Sequence, residues 1–309
     1  MSLFQPLPPY HVTSHNKVLD LSQPHIMGIL NVTPDSFSDG GQFNAVDKAI
    51  HHCQQMMNEG ASIIDIGGES TRPNAATVDT YTEIQRVVPV VQAIRRSMGD
   101  DIWLSIDTSN PAVMQAAFAA GADIWNDVRA LKRDGAAALA AELDIPVMLM
   151  HMRGEPTTMN ELAQYNDVVG EVSSELLDRI DEVTGIGVKR RNIIIDPGFG
   201  FAKNYEHHCA LLTQLDKLQS LGLPMMFGIS RKRFLAHVLT KSGVDSVAET
   251  QAAERDVIGS AAGLFALQQG ASIIRTHNVA MMQQAVALWQ QLSSYSQLNT
   301  SCHSRNESN

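Results

Sequence analysis

The stretch Gly60-Ala61-Ser62-Ile63-Ile64-Asp65 places a glycine before a short apolar run and a carboxylate directly after it. The chain repeats the glycine and the apolar run at Gly121-Ala122-Asp123-Ile124-Trp125 and at Gly270-Ala271-Ser272-Ile273-Ile274. A polar or charged residue follows each of them. A glycine in this place ends a helix and turns the chain into the next strand. An apolar run without alternation is typical of a strand that is buried on both faces. The repeat therefore predicts helices that alternate with buried parallel strands.

Polar or charged side chains follow eight apolar runs of this kind. In chain order these side chains are Asn31, Asp65, Asp107, Asn126, His151, Asp196, Ser230 and Arg275. The predicted fold class is α/β, and eight strand–helix repeats predict a TIM (β/α)₈ barrel whose strand ends open at one rim. A doubly wound open sheet is the alternative, but it rarely places polar residues at every strand end.

The chain length of 309 residues fits one barrel domain of roughly 250 residues with extensions. We expect a single domain over residues 1–293, which includes a short N-terminal extension. The segment 294–309 is polar and has no apolar face, so we expect it to form a disordered tail.

Capping residues indicate where several helices begin. Asn110-Pro111 combines a capping side chain with proline at the first helical position. Two capping boxes are predicted, one from Thr80 to Glu83 and one from Ser246 to Glu249. Later helices are predicted over 161–184, 204–221, 247–269 and about 280–293.

The composition favours a cytoplasmic protein with small-molecule partners. The formal net charge of -10 argues against nucleic-acid binding, because the neutralisation of phosphates needs a basic face. The three cysteines form no Cys-x-x-Cys pair, so we expect a reducing cytoplasm. No run approaches the ~20 apolar residues of a membrane span, so no membrane association is expected. Phosphate-binding P-loop and dinucleotide-binding glycine motifs are both absent from the sequence.

Two polar loops and a group of cations are candidates for a binding site. Residues 31–41 include paired glycines and suit a mobile lid. Residues 67–73 contain glycines, which let the backbone approach a ligand, and Arg72, whose guanidinium offers several N–H donors. Barrels commonly bind phosphate in the loops after their seventh and eighth strands. Lys232, Arg275 and His277 lie there and are therefore predicted to hold an anion.

Carboxylates and an amide are predicted to meet the cations at the same rim. Asp65, Asp107, Asn126 and Asp196 follow the second, third, fourth and sixth strands. Each aspartate alone could be a helix cap or a turn former. Together the carboxylates would repel each other unless a ligand rich in N–H donors, a metal ion or bound protons compensated their negative charge. An amino-pyrimidine is such a ligand, and Asp107 could also stabilise a cation that develops on carbon.

These motifs resemble those of the dihydropteroate synthase family, pterin-binding enzymes of bacterial folate synthesis and targets of sulfonamides. The resemblance extends over nearly the whole chain in the family's order. The matching segments are 28–41 (GILNVTPDSFSDGG), 64–73 (IDIGGESTRP), 105–109 (SIDTS), 126–128 (NDV), 150–152 (MHM), 196–201 (DPGFGF) with Lys203-Asn204, 230–232 (SRK) and 275–277 (RTH). The chain departs from the family pattern at Asn74, Ala202, His208 and Asn278.

The resemblance implies a transferase reaction. A pterinylmethyl diphosphate and 4-aminobenzoate would give dihydropteroate and diphosphate, with Mg²⁺ on the diphosphate and a homodimer formed through the last helices. In this family the pterin site would be formed by Asp65, Asp107, Asn126, Asp196 and Lys232. Asn31 resembles the magnesium ligand, Arg275 and His277 resemble the diphosphate clamp, and Thr71, Arg72, Phe201 and Ser230 resemble the aminobenzoate site.

The residues and the resemblance agree on a dissociative displacement. Lys232, Arg275, His277 and Mg²⁺ would draw charge from the leaving diphosphate, Asp107 would stabilise the cationic methylene, and the neutral amine would attack. Two alternatives stay open. A pterin-dependent methyltransferase would share the barrel but would not need a diphosphate clamp, and a catalytically silent paralogue would bind pterins without turnover.

Overall fold

Eight parallel strands close into a barrel, which confirms the predicted fold. The computed structural model describes residues 6–33, 42–69, 78–244 and 251–306. Strands β1 (His11–Ser14) and β2 (Lys17–Asp20) form an antiparallel hairpin. The barrel strands, in the order in which they pair, are β3 (His25–Asn31), β4 (Ile63–Gly67), β5 (Trp103–Asp107), β6 (Ile124–Asp127), β7 (Val147–Met150), β8 (Ile193–Asp196), β9 (Met225–Phe227) and β10 (Ala271–Thr276). The pairing of β10 with both β9 and β3 closes the ring.

Helices surround this barrel and follow most of its strands. They are α1 (Gln42–Asn58), α2 (Thr80–Met98), α3 (Pro111–Ala119), α4 (Ala136–Leu143), α5 (Val168–Ile186), α6 (Tyr205–Thr213), α7 (Arg233–Lys241), α8 (Asp256–Gln268) and α9 (Val279–Asn306). Short 3₁₀ turns cover Arg190–Asn192, Leu215–Leu221 and Ala252–Arg255. Within the described part of the chain, no helix has both the length and the apolar character needed to cross a membrane.

The helix starts follow the capping residues, with one shift. Asn110 caps α3 as predicted, since its side chain accepts a hydrogen bond from the Ala112 N–H and Pro111 begins the helix. The cap of α2 is Asp79 rather than Thr80, because the Asp79 carboxylate accepts the Thr82 N–H at 3.0 Å. The predicted capping box from Ser246 to Glu249 lies outside the described residues.

Four helix boundaries differ from the predictions. The helix predicted over 247–269 begins only at Asp256, after the 3₁₀ turn over Ala252–Arg255. The helix predicted over 161–184 begins only at Val168, where Asp167 provides the cap. The helix predicted over 204–221 changes to a 3₁₀ turn after Gln214. A disordered tail is predicted over 294–309, but α9 continues through this segment to Asn306. An established helix extends at little cost even without an apolar face, because each added residue gains a hydrogen bond. The domain limits of 1–293 stay a prediction.

The apolar core has two layers that alternate along the strands. In β4, Ile64 and Ile66 pack outward against the helices. Ile63 points into the barrel and belongs to a smaller cluster with the first residues of other strands, such as Trp103 and Ile124. Val12, Leu19 and Leu21 from the N-terminal hairpin region complete this inner cluster. The hairpin therefore closes the end of the barrel at which the strands begin, and the opposite end carries the polar rim.

A buried carboxylate ties the hairpin to this closed end. Asp123 is 1% exposed, and its Oδ2 accepts hydrogen bonds from Lys17 Nζ at 2.9 Å and Arg95 Nη2 at 2.5 Å. The backbone N–H of Leu104 donates to the same oxygen at 2.9 Å. Lys17 also donates to the Ile102 carbonyl oxygen at 3.0 Å. One carboxylate thus joins the hairpin, α2 and the start of β5.

Asp123→Ala should lower the free energy of unfolding by about 3–5 kcal/mol, because it leaves two cations and an amide unpaired at a buried site. Urea denaturation measures the change. Asp178→Ala on the exposed surface of α5 is the matched control and should change stability by less than about 0.5 kcal/mol. Equal changes in the two variants would contradict a stabilising role for the network.

Candidate active site

The predicted site residues meet at the end of the barrel where the strands finish. Asn31, Asp107 and Asp196 are the last residues of β3, β5 and β8. Asp65 and Asn126 lie inside β4 and β6 rather than directly after them. β4 and β6 thus continue beyond their inward-facing polar residues, and the next side chain of each strand points to the opposite face.

Arg275, within β10, is the cation at the centre of this group. Its Nε donates to Asp65 Oδ2 at 2.6 Å, and its Nη2 donates to Asp107 Oδ2 at 2.8 Å. Asp65 is fully buried and also accepts hydrogen bonds from Ser105 Oγ at 2.7 Å and Asn126 Nδ2 at 3.0 Å. The guanidinium therefore supplies much of the positive charge that the converging carboxylates require.

Two oxygen atoms at this site keep no partner among the described residues. They are Asp107 Oδ1 and Asn126 Oδ1, and both are buried. A buried acceptor without a donor costs free energy, on the order of 1–3 kcal/mol. A ligand that presents N–H groups to these oxygens would recover that energy. The mouth of the barrel is therefore suited to a donor-rich ring.

Burial changes the proton affinity of the charged groups around the mouth. It raises the pKa of the Asp107 carboxyl to about 7, although Arg275 acts in the opposite direction. It also raises the pKa of Asp196, opposed by the charge of Lys232. Burial lowers the pKa of Lys232 to about 8, opposed by Asp196. Each charged form thus depends on an oppositely charged neighbour.

Lys232 lies beside the loop that follows β8. Its Nζ donates to the carbonyl oxygen of Phe199 and lies 4.7 Å from the centre of the Phe201 ring. The carboxylate of Asp196, at the base of this loop, accepts the Gly198 N–H at 2.8 Å. The ammonium, the aromatic ring and the carboxylate form one wall of the site.

Contacts between the loops after the neighbouring strands β9 and β10 extend this wall. Ser230 Oγ lies 3.0 Å from His277 Nδ1 and accepts the His277 N–H at 3.2 Å. The neighbouring Arg231 makes two hydrogen bonds of 2.8 Å to the buried carboxylate of Asp256, to which Asn278 Nδ2 donates at 3.2 Å. The loops after β9 and β10 are therefore joined through their side chains. The structure brings Ser230, Lys232, Arg275 and His277 to one end of the barrel.

Two predicted residues, Thr71 and Arg72, lie outside the described residues. Within the described ranges no cluster of three His, Cys, Asp or Glu side chains could hold a metal ion. A Cβ atom placed on Gly67 would lie 3.6 Å from Asn31 Oδ1 and 3.9 Å from Asp107 Oδ2. Asn31 and Asp107 thus present hard oxygen donors on either side of a residue without a side chain.

The sequence assigns no supporting role to three residues whose side chains hold the site in place. Ser105 looks like part of an apolar run, yet it donates to Asp65. His151 has a predicted place at the rim, but it is only 4% exposed and lies between Glu175 and Lys203. Lys203 belongs to a matching segment of the family, but the sequence assigns it no role, and only its burial distinguishes it from a surface lysine.

Comparison with known proteins identifies the class of this barrel. A family model described as "Pterin binding enzyme" matches residues 27–277, which is most of the chain. The chain therefore belongs to the pterin-binding enzyme family. Within this family, the chain is 46% identical over 278 residues to the dihydropteroate synthase of Haemophilus influenzae. The aligned region covers 90% of this chain and 97% of the relative.

Solved structures give the same class. The Yersinia pestis dihydropteroate synthase in a sulfonamide drug complex superposes with a TM-score of 0.84 and 41% identity, covering 92% of this chain and 99% of that one. The Xanthomonas albilineans enzyme in complex with 7,8-dihydropteroate gives a TM-score of 0.80 and 39% identity, covering 91% and 98%.

Arg275→Met should make stability fall more steeply with pH than in the wild type. Without the guanidinium, the raised pKa of the buried Asp107 carboxyl should rise further in the folded protein, whereas unfolded carboxyls ionise near pH 4. The stability of the protonated folded form is present below about pH 4 and is lost as pH rises through the raised pKa. We expect an additional loss of about 2 kcal/mol or more between pH 5 and pH 8, measured by urea denaturation.

Lys241→Met is the matched control, because Lys241 pairs at 3.6 Å with Glu206, whose side chain is 70% exposed. An exposed carboxylate keeps its solvation when the cation is removed, so this variant should follow the pH dependence of the wild type. Parallel pH curves for the Arg275 variant and the wild type would contradict the role of Arg275 as the counter-ion.

Proposed function

We propose that the chain condenses (7,8-dihydropterin-6-yl)methyl diphosphate with 4-aminobenzoate to give 7,8-dihydropteroate and diphosphate. The activity is that of a dihydropteroate synthase, the name carried by its relatives. The observation that carries the proposal is the pair of unpartnered buried acceptors, Asp107 Oδ1 and Asn126 Oδ1, beside the cations Arg275 and Lys232. A substrate with both N–H donors and a diphosphate matches that pairing.

The pterin ring has an amino-pyrimidine edge, which offers N–H donors and few acceptors. Asp107, Asn126 and Asp196 would accept from this edge, and Lys232 would donate to a ring acceptor. Asp65 takes a different role, because its oxygens already accept from Ser105, Asn126 and Arg275. It would orient Asn126 so that the amide oxygen faces the ligand.

The diphosphate would lie beside Arg275 and His277. A guanidinium carries five N–H donors, and the bonds to Asp65 and Asp107 use two of them. The others would be available to an anion, so Arg275 would serve the carboxylates and the diphosphate together. Lys232 and His277 would add positive charge at the leaving group.

The side-chain oxygen of Asn31 at the rim is a hard donor, which fits Mg²⁺ better than a softer metal. Magnesium typically takes one or two protein ligands and completes its shell with phosphate oxygens and water. Asn31 would hold it next to the diphosphate, where it would draw negative charge from the leaving group.

The bond from the methylene carbon to the diphosphate oxygen breaks first, and the oxygen keeps the electron pair. The charge of Asp107 would stabilise the cationic methylene carbon. The neutral amine of 4-aminobenzoate then forms the C–N bond and releases a proton. Phe201, Ser230, Thr71 and Arg72 would hold the aminobenzoate for this attack, so that orientation replaces a general base.

We also propose a cytoplasmic homodimer. Exposed large apolar side chains lie on α8 and α9, among them Phe265 at 58% exposure and Leu288 at 52%. Such side chains on neighbouring helices are typical of a surface that a second copy covers. Cys53 and Cys209 are free thiols, which is compatible with a reducing compartment.

An assay of diphosphate release tests the proposed activity. The purified chain is given the pterin diphosphate with and without 4-aminobenzoate, and dihydropteroate is measured in parallel. We expect both products only when 4-aminobenzoate is present. Pterin binding without turnover would indicate a catalytically silent paralogue. Methyl transfer without diphosphate release would indicate a methyltransferase.

Asp107→Asn should lower kcat by about 30- to 1000-fold at saturating substrate, because the carboxylate charge acts on the cation of the transition state. The asparagine keeps the shape of the side chain, so binding should change less, and calorimetry with a pterin that lacks the diphosphate measures this directly. Asp178→Asn on α5 controls for the loss of a carboxylate far from the rim. An unchanged kcat with a raised KM would leave Asp107 as a recognition residue.

Turnover should require Mg²⁺ and tolerate Mn²⁺, because the proposed ligands are hard oxygen donors. Treatment with excess EDTA should abolish dihydropteroate formation, and added Mg²⁺ should restore it. The barrel should stay folded after chelation, because the metal would have few protein ligands and would lie at the rim. Full turnover after verified removal of the metal would contradict the magnesium requirement.

A further inference from the structure

The loop after β8 reaches a left-handed backbone conformation at every second residue. Gly198, Gly200 and Ala202 have φ angles of +72°, +85° and +47°. Glycine is required at the first of these, because a Cβ atom on Gly198 would lie 1.9 Å from the carbonyl oxygen of His151. Ala202 carries a Cβ atom in a conformation that L-residues with side chains disfavour. The loop therefore needs interactions that hold Ala202 in place.

Lys203 supplies such interactions directly after Ala202. Its side chain is buried, and its Nζ lies 3.2 Å from the Gly198 carbonyl oxygen and 3.1 Å from the Phe201 carbonyl oxygen. It also lies 2.9 Å from His151 Nδ1. An ammonium has three N–H donors, and these three acceptors use all of them. The lysine thus joins both ends of the loop to a neighbouring strand end.

His151 is held as the acceptor in this network. Its Nε2 lies 3.0 Å from Glu175 Oε2, and the same carboxylate accepts the Arg153 Nε–H at 2.9 Å. Because a carboxylate accepts, the hydrogen of the neutral ring lies on Nε2 and leaves Nδ1 to receive the Lys203 donor. Burial and the charge of Lys203 lower the pKa of His151 to about 4, so the ring is neutral at physiological pH.

The loop carries two groups that form the wall of the site. The carbonyl oxygen of Phe199 accepts from Lys232 Nζ, and the ring of Phe201 lies 4.7 Å from the same nitrogen. A further hydrogen bond runs from the Gly200 N–H to His208 Nε2 at 2.7 Å. A change in the path of the loop would move the aromatic ring and the ammonium together.

We propose that Lys203 is a positioning residue that holds the loop against the strained conformation of Ala202 and thereby fixes Phe201 and Lys232 in the site. Lys203 itself is buried behind the loop and would not touch substrate. The consequence for catalysis rests on the proposed function, whereas the consequence for the loop does not. The two consequences can therefore be tested separately.

Lys203→Met keeps the length of the side chain and removes all three donors. Hydrogen exchange followed by mass spectrometry should show amide exchange in residues 198–203 that is about tenfold faster or more, whatever the activity. In turnover assays kcat/KM for 4-aminobenzoate should fall by about 10- to 100-fold, because a displacement of about 1 Å in a site can cost that much. Lys203→Gln keeps an N–H donor, so its exchange rate and its kcat/KM should lie between those of the wild type and those of the methionine variant. It replaces the methionine variant if that variant fails to fold.

Ala202→Gly provides the rescue. Glycine adopts the left-handed conformation without the steric cost, so the loop should need Lys203 less. In the Lys203→Met background this second change should recover about threefold or more of kcat/KM, while alone it should change kcat/KM by less than about twofold. Lys17→Met is the matched control, since Lys17 is also a hydrogen-bonded lysine but lies at the closed end of the barrel.

Two results would overturn the proposal. One is exchange and kinetics in the Lys203 variant that match those of the Lys17 variant. The other is an equal effect of Ala202→Gly in both backgrounds, because strain that Lys203 does not oppose would be relieved equally. An inactive wild type would contradict the proposed function instead, and the exchange measurement would still decide the role of Lys203 in the loop.

Discussion

The ion pair of Arg275 with Asp65 and Asp107 is the interaction on which the open end of the barrel depends. Two carboxylates at this depth lose the water that would solvate them, so they need a cation between them to stay charged. The guanidinium joins β10 to β4 and β5 across the mouth. It also uses only one oxygen of Asp107 and leaves the other without a partner. The contact that permits burial of the charges thus also prepares an acceptor for a ligand.

The two ends of the barrel satisfy their buried charges differently. At the closed end, one oxygen of Asp123 accepts from two cations and a backbone amide, and an apolar cluster with the hairpin residues excludes water. At the open end, Asp107 and Asn126 keep oxygens without protein donors, and burial shifts the pKa of several groups. The closed end is built for stability, and the open end gives up part of that stability to bind a ligand.

Side-chain contacts between loops position Lys232 and His277, because β9 and β10 end before they reach these residues. Ser230 contacts His277, and Arg231 contacts Asp256 at the start of α8, so the loops after β9 and β10 are joined into one unit. Lys232 lies between this unit and the loop after β8. The charge that would meet a diphosphate is therefore set by three consecutive loops that support each other.

The sequence alone determined the barrel, its polar rim and the identity of the residues there, because burial on both faces and capping are local patterns that a single strand or helix displays. It could not determine that Arg275 lies against Asp65, since 210 residues separate them and only closure of the barrel brings them together. Tertiary packing also decided two further features. The hairpin covers the closed end of the barrel, and Lys203 is buried behind a strained loop. A lysine reads as a surface residue until the structure shows that its three donors meet acceptors from two separate segments.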